Sequence, residues 1–116
     1  MTLSERKELA DNPVTPAEIL VELSKDDEAE VRFHVGKNPN TPSETLVKLS
    51  KDENVDVRGY AVAYNPNTPV NTLTELSRDS SIWVRSNVAK NPKWKILEEM
   101  GALDQAILIS KYLGIL

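Results

Sequence analysis

The sequence predicts an all-α fold, a short α-solenoid of about three two-helix repeats with capping helices at the N- and C-terminal ends. Three observations predict it. One unit of 26 or 27 residues occurs three times, each unit holds two short runs of apolar residues at helical spacing, and an Asn-Pro pair opens each unit. Short helices that are apolar on one side bury that side only by stacking on neighbouring units.

The repeat boundaries follow from the Asn-Pro pairs. These pairs begin at Asn12, Asn38, Asn65 and Asn91, which gives spacings of 26, 27 and 26 residues. The second unit therefore carries one extra residue, which lies late in the unit. We expect a single domain over residues 1–116, with an N-terminal cap at 1–11, repeats at 12–37, 38–64 and 65–90, and a degenerate repeat with a C-terminal cap helix at 91–116.

Each unit is expected to begin a first helix at a Thr-Pro pair. The threonine hydroxyl would cap a free backbone N–H, and proline would occupy the first helical position. A glutamate three residues after the threonine would complete a capping box in two units, as Glu18 and Glu44. Leucines three residues apart form a stripe that must be buried. The pairs are Thr15-Pro16, Thr41-Pro42 and Thr68-Pro69, and the leucines are Leu20, Leu23, Leu46, Leu49, Leu73 and Leu76.

A second helix follows a polar break in each unit and ends at the next Asn-Pro pair, because the residue before proline is driven out of the helical region. Stacking would align Asp26, Asp52 and Asp79 in one column and Arg32, Arg58 and Arg85 in another. We expect a ladder in which each aspartate accepts hydrogen bonds from guanidinium groups of its own or the next unit. The alternative is a set of exposed ion pairs, each worth less than about 1 kcal/mol.

Composition limits the classes of partner. The chain has 14 Lys and Arg against 18 Asp and Glu, a formal charge of −4, which disfavours nucleic acid and anionic membranes as partners. It has no cysteine, so disulfides, Cys-ligated zinc and iron–sulfur clusters are not expected. The N-terminus lacks the apolar core of a signal peptide, and no apolar run is long enough to cross a bilayer. We expect a cytoplasmic protein without a cofactor or bound metal.

The C-terminal segment departs from the repeat. A last helix is expected from about Ala102 to Leu113, and the segment is apolar nearly all round. It would either cap the open end of the solenoid or pair with a second copy as a homodimer. Its apolar residues are Leu103, Ile107, Leu108, Ile109, Leu113, Ile115 and Leu116.

The pattern Asn-Pro-x-Thr-Pro, Leu-x-x-Leu, Asp and then Val-Arg resembles the leucine-rich repeat variant family over residues 12 to about 92, and its Asp to Val-Arg half is similar to HEAT-type repeats. The resemblance implies a short right-handed α-solenoid, with alternating helices of which one in each pair is short or of the 3-10 type. Some members of that family hold an iron–sulfur cluster through cysteines, which this chain lacks. The resemblance says little about function, because one repeat architecture serves many partners.

No constellation for catalysis is evident, since His34 is the single histidine and phosphate loops or metal-spaced clusters are missing from the sequence. We predict a non-enzymatic scaffold that binds a protein or peptide on the second-helix face. Trp83 would be a partner anchor or pack on the C-terminal cap, and Tyr64 lies beside the inserted residue, where a bulge could re-aim side chains. Alternatives are a HEAT-like nucleic-acid module and an accessory subunit docking through its apolar C-terminal helix. The candidate face comprises Glu30, His34, Asp56, Tyr60, Tyr64, Trp83 and Asn87.

Overall fold

A computed structural model of the chain describes residues 1–114, with the side chains of Ala102, Leu103 and Tyr112 left aside. This part of the chain is all-helical, as the sequence predicts, and contains no strand and no 3-10 helix. Ile115 and Leu116 of the apolar C-terminal set lie outside the described residues. The helices are α1 (Leu3–Asp11), α2 (Ala17–Leu23), α3 (Ala29–Lys37), α4 (Ser43–Leu49), the π-helix π1 (Val57–Val62), α5 (Val70–Leu76), α6 (Ile82–Lys90), α7 (Pro92–Glu99) and α8 (Ala102–Leu113).

The helices pack in two sets. The second helices pack against one another in chain order, α1 on α3, α3 on π1 and π1 on α6. Each first helix, α2, α4 or α5, packs against the second helix that follows it. The leucine stripe is buried between them, as expected: Leu20, Leu46 and Leu73 are fully inaccessible and share one core with the valines of the second helices. This core extends along a molecule of 49 × 28 × 19 Å.

The predicted capping role of the Thr-Pro pairs is wrong. Pro16 has φ −57° and ψ 146°, so α2 begins one residue later, at Ala17, and the threonine lies too far from the free N–H groups to cap them. The threonine hydroxyl instead donates to a carbonyl at the end of the preceding second helix, at 2.6 Å for Thr15 to Leu9 O. The same bond joins Thr41 to Val35 and Thr68 to Val62, and the capping boxes with Glu18 and Glu44 do not form.

The asparagine of the Asn-Pro pair connects successive units at Asn38, Asn65 and Asn91. Its Oδ1 accepts the N–H two residues later, which forms the turn, as in Asn67 N to Asn65 Oδ1 at 2.8 Å. Its Nδ2 donates to two backbone carbonyls around the preceding Asn-Pro pair, and for Asn65 these are Gly36 O at 2.7 Å and Asn38 O at 3.1 Å. Asn38 and Asn91 make the equivalent bonds. These buried amides therefore fix the spacing of adjacent second helices.

The arginine and aspartate columns form the expected ladder, with one direction of pairing. Arg32 and Arg58 each bind the aspartate of the following unit, and the Nη1 of each donates to the backbone carbonyl of its own unit's aspartate, as in Arg58 to Asp52 O at 2.8 Å. Arg85, in the last repeat, makes the second of these bonds, to Asp79 O. The Arg32–Asp52 and Arg58–Asp79 pairs are bidentate and mostly buried. The exposed-pair alternative is therefore wrong at these junctions. Three pairs make up the ladder: Arg6–Asp26 at 2.7 Å, Arg32–Asp52 at 2.8 Å and Arg58–Asp79 at 2.9 Å.

The extra residue of the second unit is absorbed by π1. Ala63 N bonds to Arg58 O, five residues earlier, at 3.0 Å, as a π-helical turn requires. The wider turn retains Val57 and Val62 in the core although the chain between them is one residue longer than in the neighbouring units. The bulge that the sequence suggests beside Tyr64 is thus a π-helix.

The C-terminal helix α8 has the bounds that the sequence predicts, Ala102–Leu113. It packs against α5, in the set of first helices. Arg85, Ser86 and Ala89 on α6 remain exposed, so α8 does not cover the end of the second-helix set. None of the helices within residues 1–114 has the length and apolar character needed to cross a membrane.

Candidate peptide-binding groove

A groove of about 450 Å³ lies between α3 and π1, on the side of the second helices that faces solvent. We call it the α3–π1 groove. It joins side chains from the first two repeats, and the loop before π1 contributes to its lining. Its lining residues are Ala29, Glu30, Phe33, His34, Asn54, Asp56 and Tyr60.

Local structure fixes the two walls of the groove. On one wall, Ala29, Phe33 and their neighbours lie on consecutive turns of α3, at the four-residue spacing that places side chains on one face. The other wall begins in the loop before π1, where Asn54 Oδ1 accepts the N–H of Asp56 at 2.9 Å. This side-chain turn holds Asp56 at the mouth of the groove, and Tyr60 follows on π1.

Aromatic rings supply the apolar part of the groove. Phe33 is half-buried and packs against the core, so its position is fixed. The His34 ring meets it edge to face at 5.5 Å between centroids. Tyr60, on the opposite wall, is 48% exposed. A rigid ring on one side and an accessible phenol on the other form a surface suited to an aliphatic or aromatic side chain of a partner.

Carboxylates surround these rings. Glu30 lies 2.8 Å from the Lys7 ammonium, whose hydrogen bond and charge hold the pKa of Glu30 below its usual value. Asp11 Oδ1 lies 3.2 Å from His34 Nδ1. Asp56 is exposed at the other wall. The groove therefore combines an apolar floor with an acidic rim.

A smaller cavity of about 150 Å³ adjoins the groove along π1, and Tyr60 lines both. Tyr64, half exposed, is among its lining residues, together with the Lys37 side chain from α3. Five of the seven predicted face residues thus line one of two cavities that share Tyr60. They are Glu30, His34, Asp56, Tyr60 and Tyr64.

The other two predicted residues lie apart from these cavities. Trp83 is 63% exposed on α6, so the alternative that it packs on the C-terminal cap is wrong. Asn87 is only 4% exposed, and its assignment to a solvent-facing surface is wrong as well. Its amide is short enough to fold back on its own helix, where Nδ2 donates to Trp83 O at 2.9 Å. The longer His34 and Tyr60 side chains at equivalent positions project outward.

Sequence reasoning missed three lining residues, Ala29, Phe33 and Asn54. A signal for Phe33 was present, because it is the single phenylalanine of the chain and its repeat equivalents, Gly59 and Ser86, are small. Residues that stand out from their repeat column mark places where the surface changes shape. The role of Asn54 depends on a side-chain turn that spacing alone does not reveal.

Comparisons with protein-family models, with curated proteins and with solved structures found no match to this chain.

Proposed function

We propose that the chain is a non-enzymatic scaffold that binds a peptide segment of a protein partner in the α3–π1 groove. The observation that carries this proposal is the groove itself, where Phe33 and Tyr60 come from adjacent repeats and are both reachable from solvent. Ligand sites combine such apolar walls with a few polar groups that fix orientation. Here the polar groups are the carboxylates and the imidazole of the rim.

The architecture within this proposal is a short right-handed α-solenoid of the leucine-rich repeat variant type. Three features support it: second helices that pack in chain order, an asparagine amide bonded across each junction, and an Arg–Asp pair that repeats along the same side. A scaffold of this kind is rigid at its junctions and free to vary on its outer surface. Binding residues can then differ from repeat to repeat without loss of the fold.

The ladder favours a protein partner over nucleic acid. A HEAT-like nucleic-acid module would need the column arginines to reach phosphates, whereas Arg32 and Arg58 each hold a carboxylate of the following unit and a backbone carbonyl of their own. With these guanidinium groups engaged, the accessible charge around the groove is mainly acidic. An acidic surface repels a phosphate backbone.

The test is retention of a partner by the immobilised chain from a native lysate, with Tyr60→Ala compared against Trp83→Ala. Both residues are exposed aromatics on second helices, but only Tyr60 lines the groove. We expect a protein that wild type and Trp83→Ala retain and that Tyr60→Ala loses, with the helical circular dichroism unchanged in all three. Retention by Tyr60→Ala of every protein bound by wild type would contradict the proposal.

One observation favours a second candidate, an accessory subunit that docks through its C-terminal helices, on a partner chain or on a second copy of itself. Ile96 on α7 and Ile107 and Leu113 on α8 are all 40% exposed or more. Burying three such side chains in an interface would contribute several kcal/mol to association. Light scattering of wild type and Ile107→Glu tests self-association through this end, which requires a dimer in wild type and a monomer in the variant.

A further inference from the structure

We propose that the α3–π1 groove is specific for a cationic side chain, arginine or lysine, of the partner peptide. This inference rests on the proposed function and names the chemistry that the site selects. Two kinds of contact define the class of ligand: carboxylates for the charged end, and aromatic faces for its aliphatic stem. They occur together on both walls of the groove.

Carboxylates line both walls of the groove. Glu30 on α3 and Asp56 before π1 are both exposed and both line the groove, and Asp11 adds a third carboxylate beside His34. The ammonium group of Lys7 pairs with Glu30 at this rim and is itself about one-third exposed. A carboxylate pair on opposite walls attracts a cation and rejects an anionic side chain, since like charges brought together without compensation cost several kcal/mol.

The rings explain why the ligand is a long cationic side chain and not a bare metal ion. Phe33 and Tyr60 present apolar surface in the same groove as the two carboxylates. Lysine and arginine bury their methylene stems on such surface while the charged end stays at the polar rim. An aromatic face also attracts the cation directly, at ring-centroid distances within about 6 Å.

Two lysines of the chain make these contacts with residues of the groove, one kind of contact each. Lys7 Nζ lies 2.8 Å from Glu30 Oε2, and Lys37 Nζ lies 5.3 Å from the centroid of Phe33. The carboxylate and the ring are therefore placed to receive an ammonium or guanidinium group. The Lys7–Glu30 pair is exposed and weak, so a peptide cation can replace Lys7 at little cost.

The experiment is selection from a random peptide library displayed on phage, with the immobilised full chain as target, followed by affinity measurements on synthetic copies of the enriched peptides. Variants are Glu30→Gln with Asp56→Asn, which neutralise the rim at constant size, and Tyr60→Ala. Glu18→Gln with Glu44→Gln is the matched control, because it removes the same charge from exposed positions on first helices. We expect enriched peptides to contain a common Lys or Arg whose replacement by norleucine weakens binding by about tenfold or more.

The rim variant should weaken binding to the same extent, and the control should not. Raising NaCl from about 0.1 M to about 0.5 M should weaken binding by wild type and by the control, and should have little effect on the rim variant. If the enriched peptides lose affinity with Tyr60→Ala but carry no preferred cation and ignore the rim variant, the cation specificity is overturned and the scaffold proposal stands. If no peptide is enriched, or binding is indifferent to Tyr60→Ala, both are overturned.

Discussion

The junctions inside the row of second helices differ from its two ends, although the same residues occur at both. Asn65 is 2% exposed and bonds to the preceding unit, whereas Asn12, in the same Asn-Pro motif, is exposed at the N-terminal end. Arg58 pairs with Asp79 of the next unit, whereas Arg85 is exposed. The sequence motif determines the local turn, but its contribution to stability depends on the presence of a neighbouring unit.

Small residues show the same contrast. Ala10, Gly36, Ala63 and Ala89 are equivalent in the second helices, and the first three are buried while Ala89 is exposed. Gly36 lies so close to the next helix that an added Cβ would stand 2.6 Å from Ala61 Cβ. The interior junctions are therefore close-packed to the limit of the backbone, and the C-terminal end of the row is open. Substitutions inside and at the end should differ accordingly.

The largest effect is expected for a core leucine of the middle repeat. Leu49→Ala removes a side chain that is 4% exposed within the common core, so it should lower the free energy of unfolding by about 2–5 kcal/mol. Trp83→Ala, on the exposed side of the end helix α6, should lower it by less than about 1 kcal/mol. Urea unfolding followed by circular dichroism measures both. Equal losses would show that the Trp83 indole packs on the fold.

The next largest effect is expected for the asparagine of the Asn-Pro motif, and it should differ between Asn65 and Asn12. Asn65→Ala removes the amide that bonds to Gly36 O and Asn38 O and leaves both buried carbonyls with one partner fewer. It should lower the free energy of unfolding by about 2–3 kcal/mol. Asn12→Ala removes only the exposed bond from the Val14 N–H and should cost less than about 1 kcal/mol. The measurement is again urea unfolding of the two variants in parallel.

A similar loss in both asparagine variants would mean that the turn, and not the junction, is what the asparagine stabilises. If only Asn65→Ala lowers the free energy of unfolding, the alanine variants of Asn38 and Asn91 should lower it as well, because their amides make the equivalent bonds. The comparison needs no change of residue type between the two sites. It therefore isolates the contribution of the neighbouring unit.

The helices and their buried faces could be predicted from the sequence because the same local signals occur in every unit. Leucines three apart and prolines after asparagine are local signals, and three copies of the first and four of the second leave little ambiguity. The threonine hydroxyls could not be assigned, because Thr15 binds a carbonyl of the preceding helix that becomes its neighbour only in the folded chain. The same limit explains the direction of the Arg–Asp pairs, which depends on how successive units are offset.

The groove could be predicted only in part. Tyr60 and Asp56 were identified because they occupy the outward columns of a second helix, and helical periodicity is enough for that. Phe33 and Asn54 were not identified, because their part in the groove depends on how far apart two helices lie and on a side-chain turn in a loop. The prediction for Asn87 was wrong for another reason: its short amide side chain bonds to a carbonyl of its own helix and is buried there.

The smallest expected effect is on the pH dependence of the free energy of unfolding, and it compares Arg58 and Arg85, which occupy the same column of the repeats. Burial raises the pKa of Asp79, but hydrogen bonds from the Arg58 guanidinium and the Ser81 amide outweigh it and hold that pKa below its usual value. The folded state thus binds this proton less readily than the unfolded state, so the ion pair stabilises the fold above the unfolded pKa of about 3.9. That stability is lost as the pH falls through the lower, folded pKa.

Arg58→Gln takes away the main cause of this lowering, whereas Arg85→Gln takes away a weaker, more distant charge. Between about pH 6 and pH 3, the free energy of unfolding should therefore fall by about 1 kcal/mol less in Arg58→Gln than in wild type, and by nearly the wild-type amount in Arg85→Gln. Urea titrations at the two pH values give these differences. An identical acid response in the two variants would mean that the interior position of Arg58 confers no electrostatic advantage over the open end, and that the ladder aligns the units without stabilising them.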